Sequence, residues 1–96
     1  MNQYEIMFIL RPTLSEEEVK GAVEKYQKIL EDNDAKVLES QKIGQQELAY
    51  EIKKFKSGFY HLFVAEAADD KAIREFDRIS LISDDIIRHL VTKKED

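Results

Sequence analysis

Two histidines, His61 and His89, are the first side chains in this sequence that could hold a metal or move a proton, and each sits in an apolar run with no neighbouring set of ligands. A metal site needs three or four convergent donors, so both read as packed or half-exposed strand residues. Cysteine is absent, which removes disulfides, zinc-thiolate sites and thiol nucleophiles. The three glycines, Gly21, Gly44 and Gly58, are scattered and make no phosphate-cradling loop. Glu16-Glu17-Glu18 follow Ser15 in a capping pattern that accounts for them without acid–base work. The residue types point away from catalysis, and no cofactor, metal or small-molecule substrate is expected.

The remaining chemistry is that of binding. Charged residues make up 36% of the chain, and 20 acidic against 15 basic side chains leave a net charge of −5. Neutralising phosphates takes clustered Lys and Arg. Any contact with RNA must therefore be local, or shared with a more basic partner. Lys53, Lys54 and Lys56 near a turn read as solvated, with the turn as a second candidate contact.

These residues are positioned by six elements. Tyr4-Glu5-Ile6-Met7-Phe8-Ile9-Leu10 is apolar on both alternating faces, as a central strand is, and Arg11-Pro12 stops it. Ser15 and Glu18 form a capping box, after which Val19, Ala22, Val23, Tyr26, Ile29 and Leu30 follow helical spacing to about Asn33. Residues 36–52 alternate polar and apolar with an interruption at Gly44, which predicts one long strand kinked there. Lys54-Phe55-Lys56-Ser57-Gly58 carries turn chemistry, and residues 59–67 are a second central strand. Asp69 and Asp70 open a shorter helix bearing Ala72, Ile73, Phe76 and Ile79 on one face. Ser83-Asp84-Asp85 ends it, residues 86–93 form the last strand, and residues 94–96 are expected to fray.

A chain of 96 residues is large enough for one core and small for two, so residues 1–96 are expected to form a single domain. The order strand, helix, strand, strand, helix, strand predicts a ferredoxin-like α+β fold, βαββαβ, with a four-stranded antiparallel sheet ordered 4-1-3-2 and both helices on one face. The opposite face is then uncovered. Met7 and Ile9, with alternate residues of the third strand such as Phe59, His61 and Phe63 or their neighbours, are expected there, and Met7, Ile9, Phe59 and His61 are taken as the apolar patch for a protein partner. Glu5 within the first apolar run, no basic residue ahead of it, and no run of about 18 apolar residues point to a soluble cytoplasmic protein.

Two other families share this element order. Acylphosphatase-like domains hold phosphate between the first strand and first helix, where this chain has Arg11-Pro12-Thr13-Leu14 but no glycines to wrap an anion. RNA-recognition motifs place stacking aromatics on the third strand. Aligned on Gly58-Phe59, this chain has Tyr60 and His61 where a small residue and a second stacking ring are needed.

Four stretches in order resemble the bacterial small-subunit ribosomal protein S-six family: Tyr4-Glu5-Ile6 with Arg11-Pro12; Gly44 with Leu48-Ala49-Tyr50-Glu51-Ile52; Gly58-Phe59-Tyr60; and Ile82-Ser83-Asp84-Asp85-Ile86-Ile87-Arg88-His89-Leu90-Val91. The resemblance spans nearly the whole chain. It implies a ribosome-associated, non-catalytic protein that binds the central domain of small-subunit rRNA as a heterodimer with the eighteenth small-subunit ribosomal protein. It further implies RNA contacts at Tyr4, Gln45, Gln46, Arg88 and Lys93. Family members commonly carry Arg beside the initiator Met and Lys or Arg after the motif glycine; here Asn2 and Gln45-Gln46-Glu47 stand in those places. Amides bond to phosphate but release no counterions, so this protein should contribute a shallow salt dependence.

Overall fold

The computed structural model describes residues 2–94, which form β1 (Asn2–Leu10), α1 (Glu16–Asp32), β2 (Lys36–Ile52), β3 (Phe55–Ala67), α2 (Lys71–Ile82) and β4 (Ile86–Lys94). All strand pairs are antiparallel and the sheet is ordered β2-β3-β1-β4, the expected arrangement read from its other edge. Lys94, expected to fray, lies opposite Gln3 and forms an ion pair with Glu5 at 2.8 Å. Residues 95 and 96 lie outside the described residues.

Each helix forms where its sequence marks it. The Ser15 hydroxyl accepts from the Glu18 amide at 3.2 Å while the Glu18 carboxylate accepts from the Ser15 amide at 3.0 Å, closing the capping box. The Ser15 amide, helped by the Ser15 hydroxyl beside it, holds the Glu18 carboxyl below the usual carboxylate range. α2 starts with Asp69 accepting from the Lys71 amide at 3.1 Å; Asp70 makes no cap bond and pairs instead with Arg74 one turn on. Both helices lie on one side of the sheet. Ala22, Tyr26 and Leu30 of α1 and Ala72 and Phe76 of α2 are buried in one cluster with Tyr4, Ile6, Phe8, Leu10 and Phe63. Val19 and Val23 are only half buried, at the margin of that stripe.

Phe8 is the hub of this core, with the rings of Tyr26, His61, Phe63 and Phe76 all 5.3–5.7 Å from its own. The strand register follows from it. Phe8 lies opposite His61 on one side and His89 on the other, so Phe59, His61 and Phe63 share the helix-covered face with Ile6, Phe8 and Leu10. Phe59 and His61 are therefore not on the open face, contrary to the sequence expectation. Their neighbours Tyr60 and Leu62, opposite Ile9 and Met7, occupy it.

The hairpin turn also differs. It sits at Lys53-Lys54, both with positive φ (50° and 71°), closed by Ile52 opposite Phe55. Phe55, Lys56, Ser57 and Gly58 belong to β3 rather than to the turn. Gly58 is needed for close approach: a Cβ there would stand 2.9 Å from the Leu10 carbonyl oxygen and closer still to the Ile9 side chain. Gly44, at φ 98°, occupies backbone that suits glycine, and the predicted kink falls at the register shift between Lys42 and Gly44.

Candidate partner and nucleic-acid interface

Beyond Leu10, which lies opposite Phe59, β2 and β3 continue without β1 as a two-stranded arm over residues 46–58. The arm is not a regular ladder. Glu47 faces Ser57 and Ile52 faces Phe55, so residues 48–51 of β2 oppose only Lys56. That excess of chain bulges out, and it carries Leu48-Ala49-Tyr50 across the uncovered face of the sheet. Tyr50, from the strand at one edge, brings its hydroxyl to 3.0 Å from Nη1 of Arg88 on the strand at the other.

Between this strap and the sheet lies a cleft of about 200 Å³, floored by Met7, Ile9 and Tyr60 and walled by Leu48, Ile52 and Leu90. The face is thus partly roofed by the protein's own arm. Leu90 (57% exposed) and Tyr50 (64% exposed) still present large apolar surface to solvent. Exposed apolar groups of that size, rimmed by a guanidinium, are the composition of a contact surface.

The expected site residues separate into distinct places. Arg88 lies opposite Ile9, on the open face at the cleft rim. Lys93 lies opposite Tyr4 and so points to the helix-covered side, where it adds to the lowering of the Asp70 carboxyl that Arg74 chiefly causes. Five residues of alternation make the two cations face opposite ways. Tyr4 is only 6% exposed and its ring packs in the core cluster, which removes it as a stacking contact. Gln45 and Gln46 are exposed at the base of the arm, opposite Phe59 and Gly58. Met7 and Ile9 face the cleft as expected, Ile9 being almost fully covered at 6%. The strap residues Leu48 and Tyr50 and the floor residue Tyr60 were not singled out as contacts by sequence; the string Leu48-Ala49-Tyr50, otherwise unexplained in an exposed strand, was the available signal.

Both histidines have conventional partners. His61 Nε2 is 2.8 Å from the Ser40 hydroxyl, and burial, reinforced by the positive charge of Lys42, pushes its pKa down. His89 Nε2 lies 2.6 Å from Asp77. Arg11 is likewise engaged: its amide donates to the Asp85 carbonyl at 2.8 Å, its Nε to the Asp85 carboxylate at 3.0 Å and its Nη1 to Thr13 at 2.6 Å. It ties the end of β1 to the start of β4, which leaves an acylphosphatase-like anion site without its charge. The RNA-recognition-motif alignment fails on the same register argument, because Phe59 and His61 lie on the helix-covered side where no base can stack.

Among the described residues no helix is long and apolar enough to cross a membrane. Comparison with known proteins agrees with the fold. The profile of the family described as Ribosomal protein S6 matches residues 3–93. A crystal structure of the 30S ribosomal protein S6 from Thermotoga maritima superposes with a TM-score of 0.91 at 32% sequence identity, covering 97% of this chain and 87% of that one.

Proposed function

This chain belongs to the Ribosomal protein S6 family, and from that premise we propose that it binds the central domain of small-subunit rRNA jointly with the eighteenth small-subunit ribosomal protein. Family membership makes it a structural protein of the small ribosomal subunit and not an enzyme. The observation that carries the joint-binding reading is the roofed apolar cleft on the helix-free face, with the Arg88 guanidinium at its rim.

The physical logic combines area and charge. Met7, Tyr60, Leu90 and the strap give a polypeptide partner apolar surface to cover. A net charge of −5 favours a basic partner, which then supplies most of the phosphate neutralisation. Arg88 stands where that partner and the RNA would meet, held only by a neutral phenol and by none of the described ion pairs, so its charge is available to a phosphate. Gln45 and Gln46 would position backbone through neutral hydrogen bonds.

Mixing this chain with the eighteenth protein and a central-domain rRNA fragment tests the reading. Retention of the RNA by the pair, with little retention by this chain alone, is the expected result. Equal retention by the solitary chain would overturn it. Arg88→Ala should weaken RNA binding by the pair with almost no change in melting temperature, since an exposed strand charge contributes little to the fold. Identical filter-binding curves for variant and parent would remove Arg88 from the interface.

A further inference from the structure

We propose that the Lys53-Lys54 turn at the tip of the β2–β3 arm is a phosphate contact for RNA, kept in a sequence that folds this turn poorly because its charge is needed there. The inference rests on the RNA-binding reading above and adds a site to it.

Three observations meet at this turn. First, it is a two-residue hairpin loop with both central residues in the left-handed region, φ 50° and 71°. Such turns strongly favour Asn-Gly or Gly-Gly, since a Cβ at positive φ crowds the backbone and a long unbranched side chain gains no local hydrogen bond in return. Two consecutive lysines there are a poor solution for folding. Backbone strain of this kind clusters at functional sites, where something other than stability holds the residue in place.

Second, both ammonium groups are exposed, and neither takes part in any of the described ion pairs, although acidic residues outnumber basic ones in the chain. Lys56 lies outside the turn, in β3, where it lines a shallow hollow together with Glu47 and Glu51, and it is not part of the proposed site. Glu51, two residues before the turn, is the nearest acid in sequence and lies in that hollow.

Third, the tip lies past the end of β1, whose last residue, Leu10, stands opposite Phe59. From Phe59, where β1 ends, to Lys54 the arm runs five residues, roughly 16 Å of extended chain. The two charges therefore sit at the far end of the arm from its junction with β1. Sugar–phosphate is the occupant that matches two adjacent exposed cations engaged in none of the described ion pairs.

The test uses the substitution that improves the turn while removing the charge. Lys53→Asn with Lys54→Gly should raise the melting temperature of the isolated chain by roughly 4–8 °C, about what one strained residue relieved would give a domain of this size. The same variant, paired with the eighteenth protein, should bind the central-domain rRNA fragment about tenfold more weakly near physiological salt, with the slope of log K against log salt shallower by roughly 1.5, as loss of two phosphate contacts requires. Lys53→Gln with Lys54→Gln removes the charge but keeps the strain; it should reproduce the loss of binding without the gain in stability. Unchanged affinity and slope in both variants, with the parent pair binding normally, would overturn the site. Failure of the parent pair to bind would instead overturn the reading on which it rests. An unchanged or lowered melting temperature for the Asn-Gly variant would overturn the claim that the lysines are held at a cost.

Discussion

The body of the domain and its arm are built from one continuous pair of strands, yet they obey different rules. In the body, Phe8, Tyr26, Phe63 and Phe76 interlock under two helices, and β1 runs in unbroken register with β3 from Asn2 to Leu10. In the arm, four residues oppose one, the turn is left-handed at two lysines, and Tyr50 spans the sheet to reach Arg88. The body is where burial stabilises the molecule. The arm departs from regular strand geometry at the places where side chains are presented outward, which is where binding residues are expected when a rigid scaffold has already secured the fold.

The division can be broken most severely at the hub. Phe8→Ala empties space surrounded by four rings and should cost about 3–5 kcal/mol, enough to unfold much of a domain of this size. A urea midpoint within experimental error of the parent would mean that the aromatic cluster is not the stabilising core. Gly58→Ala attacks the junction where the arm leaves the body, forcing a Cβ against Leu10 and Ile9, and should cost about 1–3 kcal/mol. Amide exchange should then speed up in the arm more than in the helices. Protection lost evenly across the molecule would show that arm and body are one cooperative unit.

Smaller effects sharpen the contrast. Ser15→Ala removes the hydroxyl half of the capping box and should cost about 1 kcal/mol with no effect on RNA binding, measured by thermal melting and filter binding in parallel. The smallest expected effect is a pH dependence in the body. His61 titrates below its ordinary value of about 6.5 because burial and Lys42 disfavour its charged form. As pH falls below that value the unfolded chain takes up the proton first, so stability declines on acidification toward the lower folded pKa. Denaturation midpoints at pH 7 and pH 5.5 should therefore differ more in the parent than in His61→Gln. Equal differences would assign the acid sensitivity to other groups.

Legibility followed the same division. The capping box, the helix stripes and the order of elements could be read because each depends on local spacing: a hydroxyl three residues from a carboxylate, or apolar groups at helical or alternate positions. Gly44 marked its kink because positive φ suits glycine. Lys53-Lys54 gave no such mark. The turn was therefore expected a few residues later, beside Gly58, whose role is close approach to β1 rather than turning.

The sequence by itself determined six elements, their antiparallel connection and a chain too acidic to hold RNA by charge alone, since all of these follow from local pattern and composition. Only the tertiary structure decided which face of β3 meets the helices. Both of its alternating sets are apolar, Phe59, Phe63 and Ala65 on one side and Tyr60, Leu62 and Val64 on the other, so the choice depends on which residue pairs with Phe8. It also decided that Tyr50 meets Arg88 across 38 residues of chain, because a contact between opposite edges of a sheet exists only once the strands between them are in register.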